Sequence, residues 1–366
     1  MVNLMPDAGC GCVFAGLNGR LLKKIGVIAL IAGAWPAFGQ LTPDRLYYGV
    51  NRSMPMTVAV PVTVSSEPTE VRIDLFDPRN ELGEVEATAP VLAGPVDLST
   101  LFPVLWKGPS PKLRYAQLVV GGTQVGPPVV LQPMSSSPTA VLVKPQTREV
   151  YFNDPEKDAP NFKPGDGMLL WITEPPSYSG IRAYVDKQVR IETSLGEIEF
   201  RLLPQHAPNT AFNFRQLAEG GFYTETIVHR VVNKLPTSGQ PFVIQFGDPT
   251  GTGAGGPGYS IDLEASQLPH DFGVLSMARE SDPNTNGSQV FIALSREGTA
   301  SLDGKYTTFA EAVSGAETIL AIAKVPVQNQ RPNNPPTILQ AVLVDAPPYG
   351  KRPARVQRPA ATPGAR

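Results

Sequence analysis

Cysteine, histidine and charge are scarce in this chain. Its 366 residues include two cysteines, Cys10 and Cys12, both in the leading segment. A Cys-x-Cys pair offers too few ligands for a structural zinc site, and the rest of the chain has no thiol to form a disulfide, so it depends on a packed core. The three histidines are His206, His229 and His270, and neither HExxH nor GxSxG occurs, so metalloprotease and serine-hydrolase chemistry lack their parts. Charged residues make up 17%, with 31 basic against 33 acidic and a net charge of -2. Such a balance disfavours nucleic acid as the partner, because phosphate binding draws on clustered Lys and Arg.

Proline and glycine are abundant instead. There are 39 prolines and 34 glycines, and proline stands at about twice ordinary usage. Both interrupt helices, so a mainly β, turn-rich protein of about two domains is expected. Arg20, Lys23 and Lys24 precede an apolar run from Ile25 to Phe38 that closes on Ala37-Phe38-Gly39. A basic flank, a short apolar centre and small closing residues form the pattern of an export signal, here residues 1–39. The run is too short for a stable membrane span. The expected destination is the periplasm or the exterior.

Residues 41–150 read as short strands. Met56–Val64 and Val71–Leu75 alternate, and Leu113–Val120 and Gln124–Leu131 flank a Gly-Gly-Thr turn, which together predict a small β-sandwich-like domain. No catalytic constellation falls there, and its role stays open between partner binding and spacing. Residues 151–182 read as a linker. Asp154, Glu156, Asp158 and Asp166 within it have no calcium-loop spacing. From residue 183 to 346 a second domain is expected. Val189–Thr193 and Glu197–Leu202 form a hairpin, a helix capped by Asn209 or Thr210 stops at Gly220-Gly221, and a short helix covers Ala316–Ala323. The basic, proline-rich residues 347–366 read as a disordered tail.

Two motifs fail on context. Gly251–Gly256 matches GxGxxG formally, yet Pro257, Gly258 and Pro269 leave no helix to meet a pyrophosphate. Asp282–Gly287 imitates the start of an EF-hand loop, but Ala293 stands where the bidentate Glu is needed. Neither a metal nor a cofactor is expected.

Four segments carry a joint signal: Ala207-Pro-Asn-Thr-Ala-Phe-Asn-Phe214; Val228-His-Arg-Val-Val232 followed by Phe242-Val-Ile-Gln-Phe-Gly-Asp248; Gly273-Val-Leu-Ser-Met-Ala278 running into Pro283–Ile292; and Leu302-Asp-Gly-Lys-Tyr306 with Phe309. In order and composition this set resembles the cyclophilin family of peptidyl-prolyl cis–trans isomerases over about residues 189–344. The resemblance implies a closed antiparallel β-barrel with two short helices, and substrates that are proline-containing polypeptides. Catalytic roles fall to Arg230, Phe242 and Gln245, and substrate binding to Val243, Ala278, Arg279, Gln289, Phe291, Leu302 and Tyr306. At Arg279 the main chain usually acts in the family. Ser301 stands in place of a frequent Trp, Tyr306 of a His, Val243 of a Met and Phe246 of a Gly, and residues 233–241 are inserted beside the pocket. These departures imply a narrower substrate range or reduced turnover.

The chemistry follows from residue types. Twisting an X–Pro amide crosses a barrier of roughly 18–20 kcal/mol without breaking a bond, so neither nucleophile nor cofactor is needed. The twisted amide regains a nitrogen lone pair, and a fixed cationic donor stabilises it more than the planar form. Arg230 is the candidate, because guanidinium stays protonated and projects several donors from a rigid plane. The expected function is assistance to the folding of exported proteins by a monomeric enzyme. The alternative is a catalytically weak module that binds Pro-containing segments, or a pair of scaffold domains with a blocked pocket.

Overall fold

The computed structural model describes residues 39–60, 69–79, 83–107, 111–136, 138–151, 167–172 and 177–359. Residues 1–38 of the expected export signal, both cysteines among them, and the acidic residues 154–166 lie outside the described residues. No helix among the described residues is long and apolar enough to cross a membrane.

The N-terminal half is built from two sheets that share one core. A three-stranded sheet runs Gln40–Pro43, Pro55–Ala59, Gly94–Asp97. The larger sheet runs Tyr47–Gly49, Tyr178–Val185, Val129–Ser135, Arg114–Val120, Val71–Phe76, Val85–Pro90, with Thr123–Gln124 added beside Arg114–Val120. Leu41, Met56 and Val58 from the first sheet pack on Ile73, Leu75, Leu118, Val129 and Leu131 from the second. Two sheets burying alternate residues against each other are the layout of a sandwich.

The span expected as a linker needs correction. Met168–Ile172 is a strand paired with Thr139–Val143, and Tyr178–Val185 lies inside the larger sheet, between Tyr47–Gly49 and Val129–Ser135. Residues 183–185 therefore belong to the first sheet system, and the second begins at Lys187. The Pro, Asp, Gly and Lys content of the span hid these strands from sequence reading, and Gly180 lies within the second of them. It sits at φ +148°, where a Cβ would meet the Tyr48 carbonyl oxygen at 2.0 Å, so the interruption is what lets Tyr47–Gly49 approach.

The C-terminal half is a nine-stranded antiparallel sheet. Its order is Thr226–Ile227, Thr337–Asp345, Lys187–Thr193, Gly196–Leu202, Thr308–Ser314, Val274–Met277, Val290–Ala293, Val243–Phe246, Arg230–Val232. The strand path curls around a core that includes Phe200, Phe214, Ile244, Leu275 and Phe309. Closure of this curled sheet by strand pairing is not seen: among the described residues no ladder pairs Thr226–Ile227 with Arg230–Val232. The Val228 and Val231 amides instead donate to the carbonyls of Pro336 and Gln330.

The helix Pro208–Glu219 starts with proline in its first turn and stops at Gly220 as expected. Its cap differs. The buried Glu264 carboxylate accepts from the Asn209 and Thr210 amides at 3.1 and 2.7 Å, so a remote residue does what Asn209 or Thr210 was expected to do. Ala316–Ala323 is the second of the two expected helices.

The expected disordered tail is also corrected: residues 347–359 pack along both halves. Tyr349 stacks on Phe76 with ring centroids 4.6 Å apart. The Arg352 guanidinium lies 4.2 Å from the Tyr115 ring centre and pairs with Asp186 at 2.6 Å. The Val356 amide donates to Ala312 O at 2.9 Å. Burial raises the Asp186 carboxyl pKa, against the charge of Arg352 and a hydrogen bond from the Lys187 amide. Arg352→Ala removes the salt-bridge partner of that buried carboxylate, with an expected loss of about 3–5 kcal/mol in urea denaturation. A variant as stable as the parent contradicts the role given to the tail.

Candidate active site

Sheet register brings the chemistry-bearing side chains together. Arg230 pairs with Gln245, and Gln245 pairs with Phe291, so three adjacent strands place these residues in one row. Arg230 Nη1 donates to Gln245 Oε1 at 3.1 Å, and Gln245 Nε2 donates to Gln289 Oε1 at 2.9 Å. Gln289 Nε2 donates in turn to the carbonyls of Gly253 and Gly255, both at 2.9 Å. The glycine segment that imitates a nucleotide loop thus ends a hydrogen-bond chain that begins at Arg230. Asp248 folds this segment by accepting from the Thr250 amide at 2.7 Å and hydroxyl at 2.8 Å.

Beside this row lies an apolar cup. Val232, Val243 and Phe291 are buried together, with Phe242, Ala278, Leu302, Tyr306 and Leu235 packed against them. Tyr306 meets Phe291 edge-on with centroids 5.8 Å apart. All the residues expected at the site therefore surround one locale. Arg279 joins them through its side chain, not only its main chain. Its guanidinium lies 4.7 Å from the Tyr306 ring centre and donates to the carbonyls of Lys305, Glu280 and Ser281.

The substitutions noted in the sequence fall unevenly on this cup. Phe246 turns into the core beside Tyr223, centroids 6.2 Å apart, and leaves the cup untouched. Ser301 is exposed in the short turn Ala300–Leu302. From the 233–241 insertion, Leu235 packs onto the cup, which adds apolar surface at its edge.

Two further residues were not foreseen. His270 stacks flat behind Phe291, 5.7 Å between centroids and 9° between planes. Its ring nitrogens contact Asp303 at 2.9 Å and Ser276 at 3.0 Å. Burial draws the His270 pKa below its ordinary value, so the ring backs Phe291 as a neutral imidazole. Asp303, for its part, is pushed by burial toward protonation, but hydrogen bonds from Arg296 and His270 lower its pKa to about 2.

The second is Gln330, whose Oε1 accepts from Arg230 Nε at 2.8 Å. It lies in a turn where Asn329 and Gln330 hold φ of +50° and +67°, between the short strands Val327–Gln328 and Arg331–Pro332. Asn suits such a turn, and Gly is the usual second residue. A glutamine there retains roughly 1–2 kcal/mol of backbone strain, and in this position its side chain can fix the guanidinium from the side opposite Gln245.

Residues 188–343 match the family described as cyclophilin type peptidyl-prolyl cis-trans isomerase/CLD. The chain is 42% identical over 164 residues to the peptidyl-prolyl cis-trans isomerase-like 1 of Emericella nidulans, covering 43% of this chain and 95% of that protein. It is 41% identical over 162 residues to a peptidyl-prolyl cis-trans isomerase of Schizosaccharomyces pombe, covering 43% of this chain and 98% of the relative. A crystal structure of a Cryptosporidium parvum cyclophilin type isomerase in the presence of the dipeptide Ala-Pro is 36% identical, covers 43% of this chain and 98% of that one, and gives a TM-score of 0.39. The chain belongs to the cyclophilin-type peptidyl-prolyl cis–trans isomerases.

Gln330→Gly separates strain from function. It relaxes the turn and removes the acceptor for Arg230 Nε, so the melting temperature is expected to hold or rise while kcat for an X–Pro peptide falls about tenfold. Equal activity with the parent shows that Gln330 does not position Arg230.

Proposed function

We propose that Arg230 performs the isomerisation by donating a hydrogen bond to the prolyl nitrogen as the X–Pro amide twists. The observation that carries this reading is the clamp on Arg230, with Gln330 on Nε and Gln245 on Nη1, at the edge of a cup sized by Val243, Phe291, Leu302 and Tyr306. The clamp leaves Nη2 as a further donor group on a plane that is already oriented. Burial lowers the Arg230 pKa, yet guanidinium starts so far above neutrality that it remains a cation.

In the planar ground state the prolyl nitrogen shares its lone pair with the carbonyl and is a poor acceptor. Rotation returns that lone pair, so a donor held in place gains strength only as the barrier is approached. The cup grips the ring through Phe242, Val243, Phe291 and Leu302 while the preceding carbonyl swings. Gln245 and Gln289 present polar atoms to the substrate backbone, and Ala278 and Arg279 border the path of the residues before proline. No electron pair leaves the substrate. Removing one preorganised donor typically lowers kcat by about 10²–10³-fold, and that loss is expected for Arg230→Ala in a proline-limited peptide assay, with the melting temperature little changed. Unaltered rates remove Arg230 from the mechanism.

The natural substrates of this reading are exported polypeptides, met in the periplasm or outside the cell. The support is the leading pattern of Arg20, Lys23 and Lys24 followed by Ile25–Phe38 and a small-residue end before Gln40. Residues 1–45 fused to a reporter that gains activity only after crossing a membrane are expected to give an active, shortened product beginning near Gln40. A full-length, inactive fusion overturns the assignment of export.

A further inference from the structure

Next to the proline cup, a cavity of about 640 Å³ opens between the strand pair Thr139–Val143 and Met168–Ile172 and the segments around Arg279 and Tyr306. Its volume falls in the range of about 300–1,000 Å³ that holds small ligands and peptide side chains. Leu142, Leu169 and Trp171 form one wall, and Arg279, Lys305 and Tyr306 face them. Tyr306 belongs to both spaces, since it also packs edge-on against Phe291 in the cup. The cavity and the cup therefore share the Tyr306 side chain as a common wall.

The strand pair belongs to neither of the larger sheets. A two-stranded ribbon is marginal by itself, and this one is tied to the catalytic half where Asn284 Nδ2 donates to Ala140 O at 2.8 Å. Its strands pack tightly at Gly167, where a Cβ would come within 2.6 Å of Leu142 Cγ. A ribbon that only spaced two halves would carry polar residues on its outer face. Met168–Ile172 reads Met-Leu-Leu-Trp-Ile, with Met168, Leu170 and Ile172 exposed by 39, 38 and 46%. On the alternate face Leu169 and Trp171 are only half-buried and line the cavity, so it is bordered by apolar side chains that nothing fully covers.

We infer that this ribbon is a second wall of the substrate site, and that the polypeptide whose proline fills the cup runs past Tyr306 and lays an aromatic or aliphatic side chain between Tyr306 and the Leu169–Trp171 face. The inference rests on the isomerase reading, and the Tyr306 wall that the two spaces share commits the occupant to the client chain itself. Polar segments around proline gain nothing from this wall, so the ribbon would direct the enzyme to X–Pro bonds flanked by apolar residues, the sequences an unfolded chain exposes.

The test uses the full chain and two kinds of substrate: a tetrapeptide containing one X–Pro bond, and twelve-residue peptides with the same bond carrying either Leu or Ser at one position two to six residues to either side. In one register Leu is expected to lower KM about tenfold relative to Ser, in keeping with burial of one apolar side chain, while kcat stays level as for uniform binding. Trp171→Ser is expected to erase the Leu-over-Ser preference and to leave the tetrapeptide rate as in the parent; Leu169→Ala serves if that variant does not fold. A preference absent from every register, or one that survives both substitutions, overturns the inference. If the parent fails to accelerate the tetrapeptide, the isomerase reading falls separately, and calorimetric titration with the Leu and Ser peptides then decides the wall on affinity alone.

Discussion

A guanidinium held from two sides is the constraint on which the rest of this structure turns. Arg230 is long, has many rotamers and, left free at a strand end, would populate them. Gln245 reaches it across a strand pair and Gln330 from a turn 100 positions away in sequence. The second contact places two non-glycine residues at positive φ, a local strain that the surrounding sheet has to sustain. Behind Gln245 the chain of amides continues through Gln289 to two glycine carbonyls. The bracing of Arg230 is thus spread across four separate segments, which is the preorganisation that the proposed donation to a prolyl nitrogen calls for.

The apolar side of the site is supported in a comparable way. Phe291 is fixed in front by Tyr306 and behind by the neutral His270 ring, whose own nitrogens are tied to Asp303 and Ser276. Arg279 braces Tyr306 from its face while gathering three carbonyls. Cup and cation are both braced by packing, as the proposed stabilisation of a twisted amide calls for. The N-terminal half adds mass near this site through the Thr139–Val143 and Met168–Ile172 ribbon, and the tail from Tyr349 to Val356 ties the halves along another face.

Much of the catalytic half was legible because its signals are local. Alternation gave the Val189–Leu202 hairpin, a helix stop at Gly220 was visible, and the segments around Arg230, Gln245, Phe291 and Tyr306 carry a resemblance dense enough to name the family. What stayed hidden depends on distant chain. Gln330 and Leu235 reach the site from segments with no motif, His270 lacks any spacing that marks it as a support, and Glu264 caps a helix from more than 50 residues downstream. Composition misled in two places. Basic, proline-rich residues after 346 read as solvated, whereas Arg352 spreads over Tyr115 and Tyr349 and finds Asp186. The 151–182 span read as connector because it is rich in Pro, Asp, Gly and Lys, although Met168–Ile172 pairs with Thr139–Val143 and Gly180 admits the strand Tyr47–Gly49.

The most direct measurement is a crystal structure of the full chain with a bound peptide containing one X–Pro bond. The proline ring is expected within the cup formed by Val243, Phe291, Leu302 and Tyr306, with an Arg230 guanidinium nitrogen at about 3 Å from the prolyl nitrogen and both glutamine contacts retained. A proline seated in that cup with the guanidinium turned away from the nitrogen, or a peptide bound elsewhere, contradicts the mechanism at its centre.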